Sequence, residues 1–133
     1  MKKVWYAPNR LEAYGEEEIK AVEESLRAGW LAGFGPRTIE FEEKIAKEFG
    51  KKFGVFVNSG SSACLLALAA LDLPKGSKIL TPALTFSTTL APIVQLGYTP
   101  VFIDSNLTSY VPDVEDIIDA ITDDIKAIMV PNL

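Results

Sequence analysis

The sequence contains no histidine and only one cysteine, Cys64. Without histidine, this chain by itself cannot carry Ser-His or Cys-His nucleophilic catalysis, histidine-ligated zinc or imidazole acid–base chemistry. The lone cysteine permits no internal disulfide.

The longest apolar run, Ala63–Leu71, is far shorter than the roughly 20 residues that a membrane helix needs. The first eight residues lack the apolar core and cleavage site of a secretory signal, so we expect a cytoplasmic location.

Basic residues are fewer than acidic ones, with 13 Lys plus Arg against 18 Asp plus Glu and a net charge of -5. This balance, without a basic stripe, disfavours binding to nucleic acid. The 48% hydrophobic and 23% charged residues are typical of a globular domain. We therefore expect one domain over residues 1–133, with a helix and an arm or loop in residues 1–37 and an α/β portion in residues 38–133.

Apolar residues recur at helical spacing in two early segments. The first helix is expected to begin at three consecutive glutamates and to end before Gly29, with an apolar face made of Ile19, Val22 and Leu26. The second is expected from Thr38, with a buried stripe made of Phe41, Ile45 and Phe49. On its opposite face, Glu40 and Lys44 are spaced for an i,i+4 ion pair.

From residue 53 onward, short apolar runs alternate with helical stretches. Strands that are apolar throughout are typical of a parallel sheet covered by helices on both faces. The sequence therefore predicts an α/β fold with a parallel-strand sheet. The expected strands are 55–57, 78–80, 100–103 and 127–130, and the expected helices are 62–71, 88–96 and 114–121. Because the chain stops at Leu133 directly after a strand, we also expect that it is truncated.

The segment Asn58–Ala63 lies between an expected strand and an expected helix. Free amides of Ser61, Ser62 and Ala63 at the helix start, with two hydroxyl groups, would favour an anion such as phosphate. The alternative is that a serine here only caps the helix. The segment matches neither the P-loop nor the G-x-G-x-x-G pattern.

A second polar segment, residues 81–89, follows the next expected strand, where open α/β sheets bind ligands. Within it, Phe86 could stack on a planar heterocycle or could plug the core. Asp104 ends a further strand and could contact a ligand or stabilise the following turn. Cys64 lies in an apolar helix and is expected to be inert core.

Five ordered motifs together resemble the DegT/StrS family of pyridoxal-phosphate enzymes. Members of this family have the fold-type I architecture, similar to aspartate aminotransferase, and they aminate or deoxygenate keto sugars attached to nucleotides. The motifs are Gly29-Trp30-Leu31, Phe41-Glu42, Asn58–Ala63, Thr81–Phe86 and Pro100–Asp104.

The resemblance implies that Gly60, Ser61 and Ser62 hold the phosphate of pyridoxal 5'-phosphate and that Phe86 stacks on its pyridine ring. It also implies a nucleotide-sugar substrate, a role in lipopolysaccharide or deoxysugar biosynthesis, and a homo-oligomer, since family members build their active sites across a dimer. Within the family, the residues of these motifs most resemble those of the sugar-nucleotide 3-dehydrase branch.

The resemblance places the family's remaining catalytic residues beyond the end of this chain. These are the Asp that pairs with the pyridine nitrogen and the Lys that forms the Schiff base, which is His in the dehydrase branch. We therefore expect no catalytic residue here and no activity from the chain alone. Two other interpretations stay open: a non-catalytic α/β module that binds a phosphorylated metabolite, and an interaction domain in which the serine loop is only a helix cap.

Overall fold

The computed structural model describes residues 13–30 and 32–131. It contains two compact units, Met1–Phe56 and Val57–Leu133. The predictions about the first eight residues, Leu31 and Leu133 concern positions outside the described ranges. The prediction of one domain over residues 1–133 stays a prediction. No helix in the described ranges is long and apolar enough to cross a bilayer.

The first unit contains helices α1 (Glu16–Ala28) and α2 (Pro36–Glu48). The predicted bounds of α1 are confirmed, because Gly29 ends the helix in the left-handed conformation with φ of 70°. At its start, Glu18 accepts a hydrogen bond from the Gly15 N–H at 2.7 Å. This backbone hydrogen bond lowers the pKa of the Glu18 carboxyl. Acidic residues at this end also suit the helix dipole.

The predicted buried stripe of α2 is wrong in the described part of the chain. Phe41, Ile45 and Phe49 remain 49%, 39% and 68% exposed. Helical periodicity identifies a face that can pack, but it does not supply the element that covers it. The predicted ion pair on the other face is confirmed, with Lys44 Nζ 2.7 Å from Glu40 Oε1.

The predicted strand at residues 55–57 is also wrong. The segment forms no strand in the described residues, and the Val55 side chain is 75% exposed. Instead, the Phe56 N–H donates to Glu42 Oε1 of α2 at 2.7 Å. The Phe56 ring meets Phe41 edge to face, with 5.4 Å between centroids. An apolar run becomes a strand only where a neighbouring strand completes its hydrogen-bond ladder.

The second unit contains a parallel three-stranded sheet, which confirms the predicted α/β class. The strand order is β2-β1-β3. The strands are β1 (Lys78–Pro82), β2 (Thr99–Ile103) and β3 (Ile125–Ile128), and the helices are α3 (Gly60–Ala69), α4 (Ser87–Gln95) and α5 (Val114–Ala120).

The core of this unit lies against the central strand β1. Ile79 is fully buried and packs with Leu68 of α3 and Ile93 of α4. Because β1 and β2 are parallel and Pro82 pairs with Ile103, both strands end at the same edge of the sheet. The loop before α4 and the turn at Asp104 therefore start from that edge.

Cys64 lies on α3, but it is half-buried rather than enclosed in core. The prediction of a core cysteine is therefore only partly right. The neighbouring Leu66 is 50% exposed, so part of this apolar helix has no cover within the described residues. As with α2, an apolar sequence alone does not determine which side becomes buried.

We expect an acid-shifted titration at the start of β3. Lys78 Nζ lies 2.5 Å from Asp124 Oδ2. The hydrogen bond from Lys78, helped by one from Thr122, lowers the pKa of Asp124 from 3.8 to about 2. Since the folded-state pKa is depressed, the stabilisation is present above pH 3.8 and is lost as the pH falls through 2. Carbon-13 NMR of the Asp124 carboxyl should give this low midpoint, and Lys78→Met should raise it. A wild-type midpoint near 3.8 would contradict the ion pair.

Candidate functional site

The start of α3 is capped by Ser59. Its Oγ accepts a hydrogen bond from the Ser62 N–H at 3.1 Å, and its carbonyl oxygen accepts one from the Ala63 N–H at 3.0 Å. The interpretation of a serine as helix cap is therefore confirmed. The expectation that the amides of Ser62 and Ala63 are free is wrong, because the cap and the first helical turn use both of them.

Two amides remain in front of the helix. In the described part of the chain, neither the Gly60 N–H nor the Ser61 N–H donates to another residue. The exposed Ser61 side chain adds a hydroxyl donor. Apart from the chain neighbours of Gly60 and the backbone of its own helix, no atom of the described residues lies within 4 Å of the position that a Cβ on Gly60 would take, and its φ is outside the left-handed range. Neither packing nor backbone conformation thus requires glycine at this position.

The other side chains at this helix start form a hydroxyl cluster. Ser62 Oγ donates to Asn58 Oδ1 at 2.7 Å. Ser59 Oγ lies 3.1 Å from Ser62 Oγ. Asn58 and Ser59 were not individually predicted as site residues, although an Asn-Ser pair directly before a helix is a usable signal for capping.

A cleft of about 210 Å³ lies between α3 and α4. All of its lining side chains are uncharged, so no carboxylate in the lining would repel an anion. The helix dipoles of α3 and α4 both place partial positive charge at the helix starts that contribute to it. The lining residues are Ser61, Ser62, Leu65, Thr88, Ala91, Pro92 and Gln95.

Phe86 is the N-cap residue of α4. Its side chain is 72% exposed, so the core-plug interpretation is wrong. Thr89, which is nearly buried, fixes the segment: its N–H donates to the Phe86 carbonyl at 2.9 Å, and its Oγ1 accepts from Thr85 Oγ1 at 3.0 Å. The structure brings Ser61 and Ser62 to one cleft and places Phe86 two residues before Thr88, which lines it.

Asp104 stabilises a local turn. Its Oδ1 accepts from the Ser105 N–H at 2.8 Å, as the turn interpretation predicted. The carboxylate is exposed and does not line the cleft. Across residues 13–30 and 32–131, no three acidic or cysteine side chains are grouped as metal ligands would be.

Solved structures share this fold. The chain matches the E. coli GDP-4-keto-6-deoxy-D-mannose-3-dehydratase with bound hydrated PLP at 36% identity and a TM-score of 0.80, covering 88% of this chain and 31% of that one. A mutant GDP-4-keto-6-deoxymannose-3-dehydratase, which also matches this chain, holds bound GDP-perosamine. An aminotransferase from Psychrobacter cryohalolentis matches at 27% identity and a TM-score of 0.76, covering 87% of this chain and 30% of that one.

Curated proteins also match this chain in sequence. The spore coat polysaccharide biosynthesis protein SpsC of Bacillus subtilis is 42% identical over 103 residues, which are 77% of this chain and 26% of that protein. The GDP-4-keto-6-deoxy-D-mannose 3-dehydratase of E. coli O55:H7 is 38% identical over 122 residues, which are 87% of this chain and 31% of that protein. The chain therefore spans less than a third of the length of these relatives.

The sequence profile of one family covers nearly the whole chain, from residue 12 to residue 133. It covers helices α1 and α2, the capped start of α3 and strands β1, β2 and β3. The resemblance drawn from the five motifs is thus confirmed. The chain belongs to the DegT/DnrJ/EryC1/StrS aminotransferase family.

Proposed function

We propose that this chain is the N-terminal, cofactor-binding portion of a pyridoxal-phosphate enzyme that modifies nucleotide-linked keto sugars. The reaction would be amination or removal of the C3 hydroxyl, in lipopolysaccharide or deoxysugar biosynthesis. The relatives support this proposal: one is a 3-dehydratase with bound PLP, and another is an aminotransferase. The substrate would be a nucleotide sugar.

The residues at the start of α3 fit the phosphate of pyridoxal phosphate. We assign the phosphate to Gly60 and Ser61, with Ser62 beside it in the cleft, and the ring face to Phe86. The observation that carries the assignment is the pair of amides in front of the helix that donate to no other described residue, next to an exposed hydroxyl and open space. Three donors at a helix N-terminus suit a phosphate dianion.

Within this proposal, the chain's own residues bind and orient the cofactor. The amides and the Ser61 hydroxyl would fix the phosphate, and the exposed ring of Phe86 would limit tilt of the pyridine plane. When bound, pyridoxal phosphate supplies an electron sink for chemistry at the substrate carbon. We assign no catalytic residue to this chain.

Gly60→Ala tests the proposal by separating binding from stability. The new methyl group meets no described residue within 4 Å apart from its chain neighbours and its own helix backbone, and alanine is a good helix former, so the melting temperature should not fall. If glycine is present to let phosphate approach, affinity for pyridoxine 5'-phosphate should drop about 10-fold, equivalent to about 1.4 kcal/mol. This probe carries the ring and phosphate but no aldehyde, so it cannot react with surface lysines.

Gly33→Ala is the matched control, since Gly33 also has open space around it and is not one of the residues that line the cleft. Its affinity should equal that of the wild type. An unchanged affinity in Gly60→Ala would count against the phosphate site.

We also propose a homo-oligomer and a cytoplasmic location. Val22 and Leu26 of α1, with Trp30 and Phe34 after it, are 59–83% exposed in the described part of the chain. Apolar patches of this kind mark association surfaces. Sedimentation equilibrium at micromolar concentration should show a dimer or larger species, and a monomer would contradict the proposal of a homo-oligomer.

The single cysteine suits a reducing compartment, which supports the proposed cytoplasmic location.

A further inference from the structure

The exposed face of α1 has the spacing of a helix-pairing seam. Ile19, Val22 and Leu26 follow one another at steps of three and four residues, so they form one stripe along the helix. These side chains are 37%, 61% and 59% exposed. Two helices pack along apolar stripes of this spacing.

Charges of alternating sign run beside the stripe. All four side chains are exposed and lie on one flank, because they too are separated by three or four residues. Within the helix, Arg27 pairs with Glu23 at 2.5 Å. Exposed pairs of this kind contribute little to stability, so these charges can be shared with a second helix. In chain order, the flank consists of Glu16, Lys20, Glu23 and Arg27.

This order of charges is complementary to its own reverse. A two-fold axis perpendicular to α1 makes the second helix antiparallel and brings the same flank of both helices together. Glu16 of each copy then faces Arg27 of the other, and Lys20 faces Glu23. Every charge on the flank thus meets one of opposite sign.

The apolar stripe fits the same arrangement. Ile19 of each copy lies against Leu26 of the other, and the two Val22 side chains meet near the axis. A parallel pair would instead bring the charged flank against the other flank of α1, which holds Glu18 and Ser25 and no cation. The charge order therefore favours antiparallel pairing.

We propose that this face of α1 is a self-association surface, on which a second copy of the chain packs its own α1 in the antiparallel direction. The proposal rests on the homo-oligomer proposed above and deepens it, because it identifies the helix, the direction of pairing and the ion pairs between copies. The occupant is a second copy because the flank matches its own reverse in sign at all four positions.

Two charge variants test this pairing by sedimentation equilibrium. Glu16→Lys with Glu23→Lys makes the flank entirely basic, and Lys20→Glu with Arg27→Glu makes it entirely acidic. Each variant alone should self-associate about 100-fold more weakly than the wild type, because four attractive pairs become four repulsive ones. An equimolar mixture of the two should associate about as tightly as the wild type, since a basic flank then faces an acidic one.

Glu17→Lys with Glu48→Lys is the matched control, because it changes the net charge as much as the basic variant does. Glu17 lies on the opposite face of α1, Glu48 lies on α2, and both side chains are exposed. This control should associate as the wild type does. Far-UV circular dichroism checks that each variant keeps its helices.

A cross-link tests the geometry without changing any charge. In a Cys64→Ala background, oxidised glutathione should join two copies of Val22→Cys by a disulfide, because these side chains meet near the axis. Ala28→Cys, on the opposite face of α1, should not cross-link. If a charge variant loses its helix, this comparison decides.

The outcomes separate the surface from the oligomer. A wild-type dimer with charge variants that associate as well as the control, or with equal cross-linking at residues 22 and 28, would overturn the inference and leave the homo-oligomer standing. A wild-type chain that stays monomeric would overturn both.

Discussion

Ile79→Ala is expected to lower the free energy of unfolding of the second unit by about 2–5 kcal/mol, the range for Ile or Leu to Ala in packed cores. Ile79 is fully buried in the central strand and contacts the cluster formed by Leu68, Ile93 and Tyr98. Removing its side chain leaves a cavity between β1 and the two helices that pack on it. Small domains are stable by only about 5–15 kcal/mol, so this single change removes a large share.

Urea denaturation followed by circular dichroism measures the effect. Ile118→Ala on α5 is the matched control, because it makes the same substitution at a side chain that is 60% exposed. Its effect should stay within about 0.5 kcal/mol, as for most surface substitutions. Similar losses in the two variants would contradict the placement of the core against β1.

Ser61→Asp is expected to weaken binding of pyridoxine 5'-phosphate by about 100-fold. Two negative charges about 4 Å apart repel by about 1 kcal/mol in water and about 4 kcal/mol near a protein surface. The substitution also replaces the hydroxyl donor with an acceptor. The free energy of unfolding should instead rise, because an acidic residue in the first helical turn stabilises a helix by about 0.3–1 kcal/mol. The first turn of α3 has no acidic residue.

Ser61→Asn separates charge from shape, since it is similar in size and uncharged. It should weaken binding much less than Ser61→Asp and leave the melting temperature close to that of the wild type. If Ser61→Asp binds the probe as well as Ser61→Asn does, no phosphate lies in front of α3.

The sequence predicted the strands β1 and β2 better than it predicted which apolar segments become buried. Strands β1 and β2 appear where continuous apolar runs end in polar loops, because their partners lie within the same unit. Val55 and its neighbours have the same composition but no partner strand among the described residues. Phe41 and Ile45 likewise have the right spacing for a buried stripe and no cover there. The local sequence pattern specifies which face of an element is apolar, whereas burial of that face depends on whether another element packs against it.

At the candidate site, residue types were predictable and the hydrogen bonds were not. A serine cluster before a helix indicates either a cap or an anion site. The structure shows the cap in use, while the Gly60 and Ser61 amides donate to no other residue in the described ranges. Which amides are free depends on Ser59 being the capping residue, and that choice is a matter of backbone geometry.

The most direct test of the cofactor site is a crystal structure of the chain with pyridoxine 5'-phosphate. We expect phosphate oxygens within about 3 Å of the Gly60 and Ser61 amide nitrogens, and the pyridine ring against the face of Phe86. A phosphate bound elsewhere on the chain, with the start of α3 free of ligand, would contradict it.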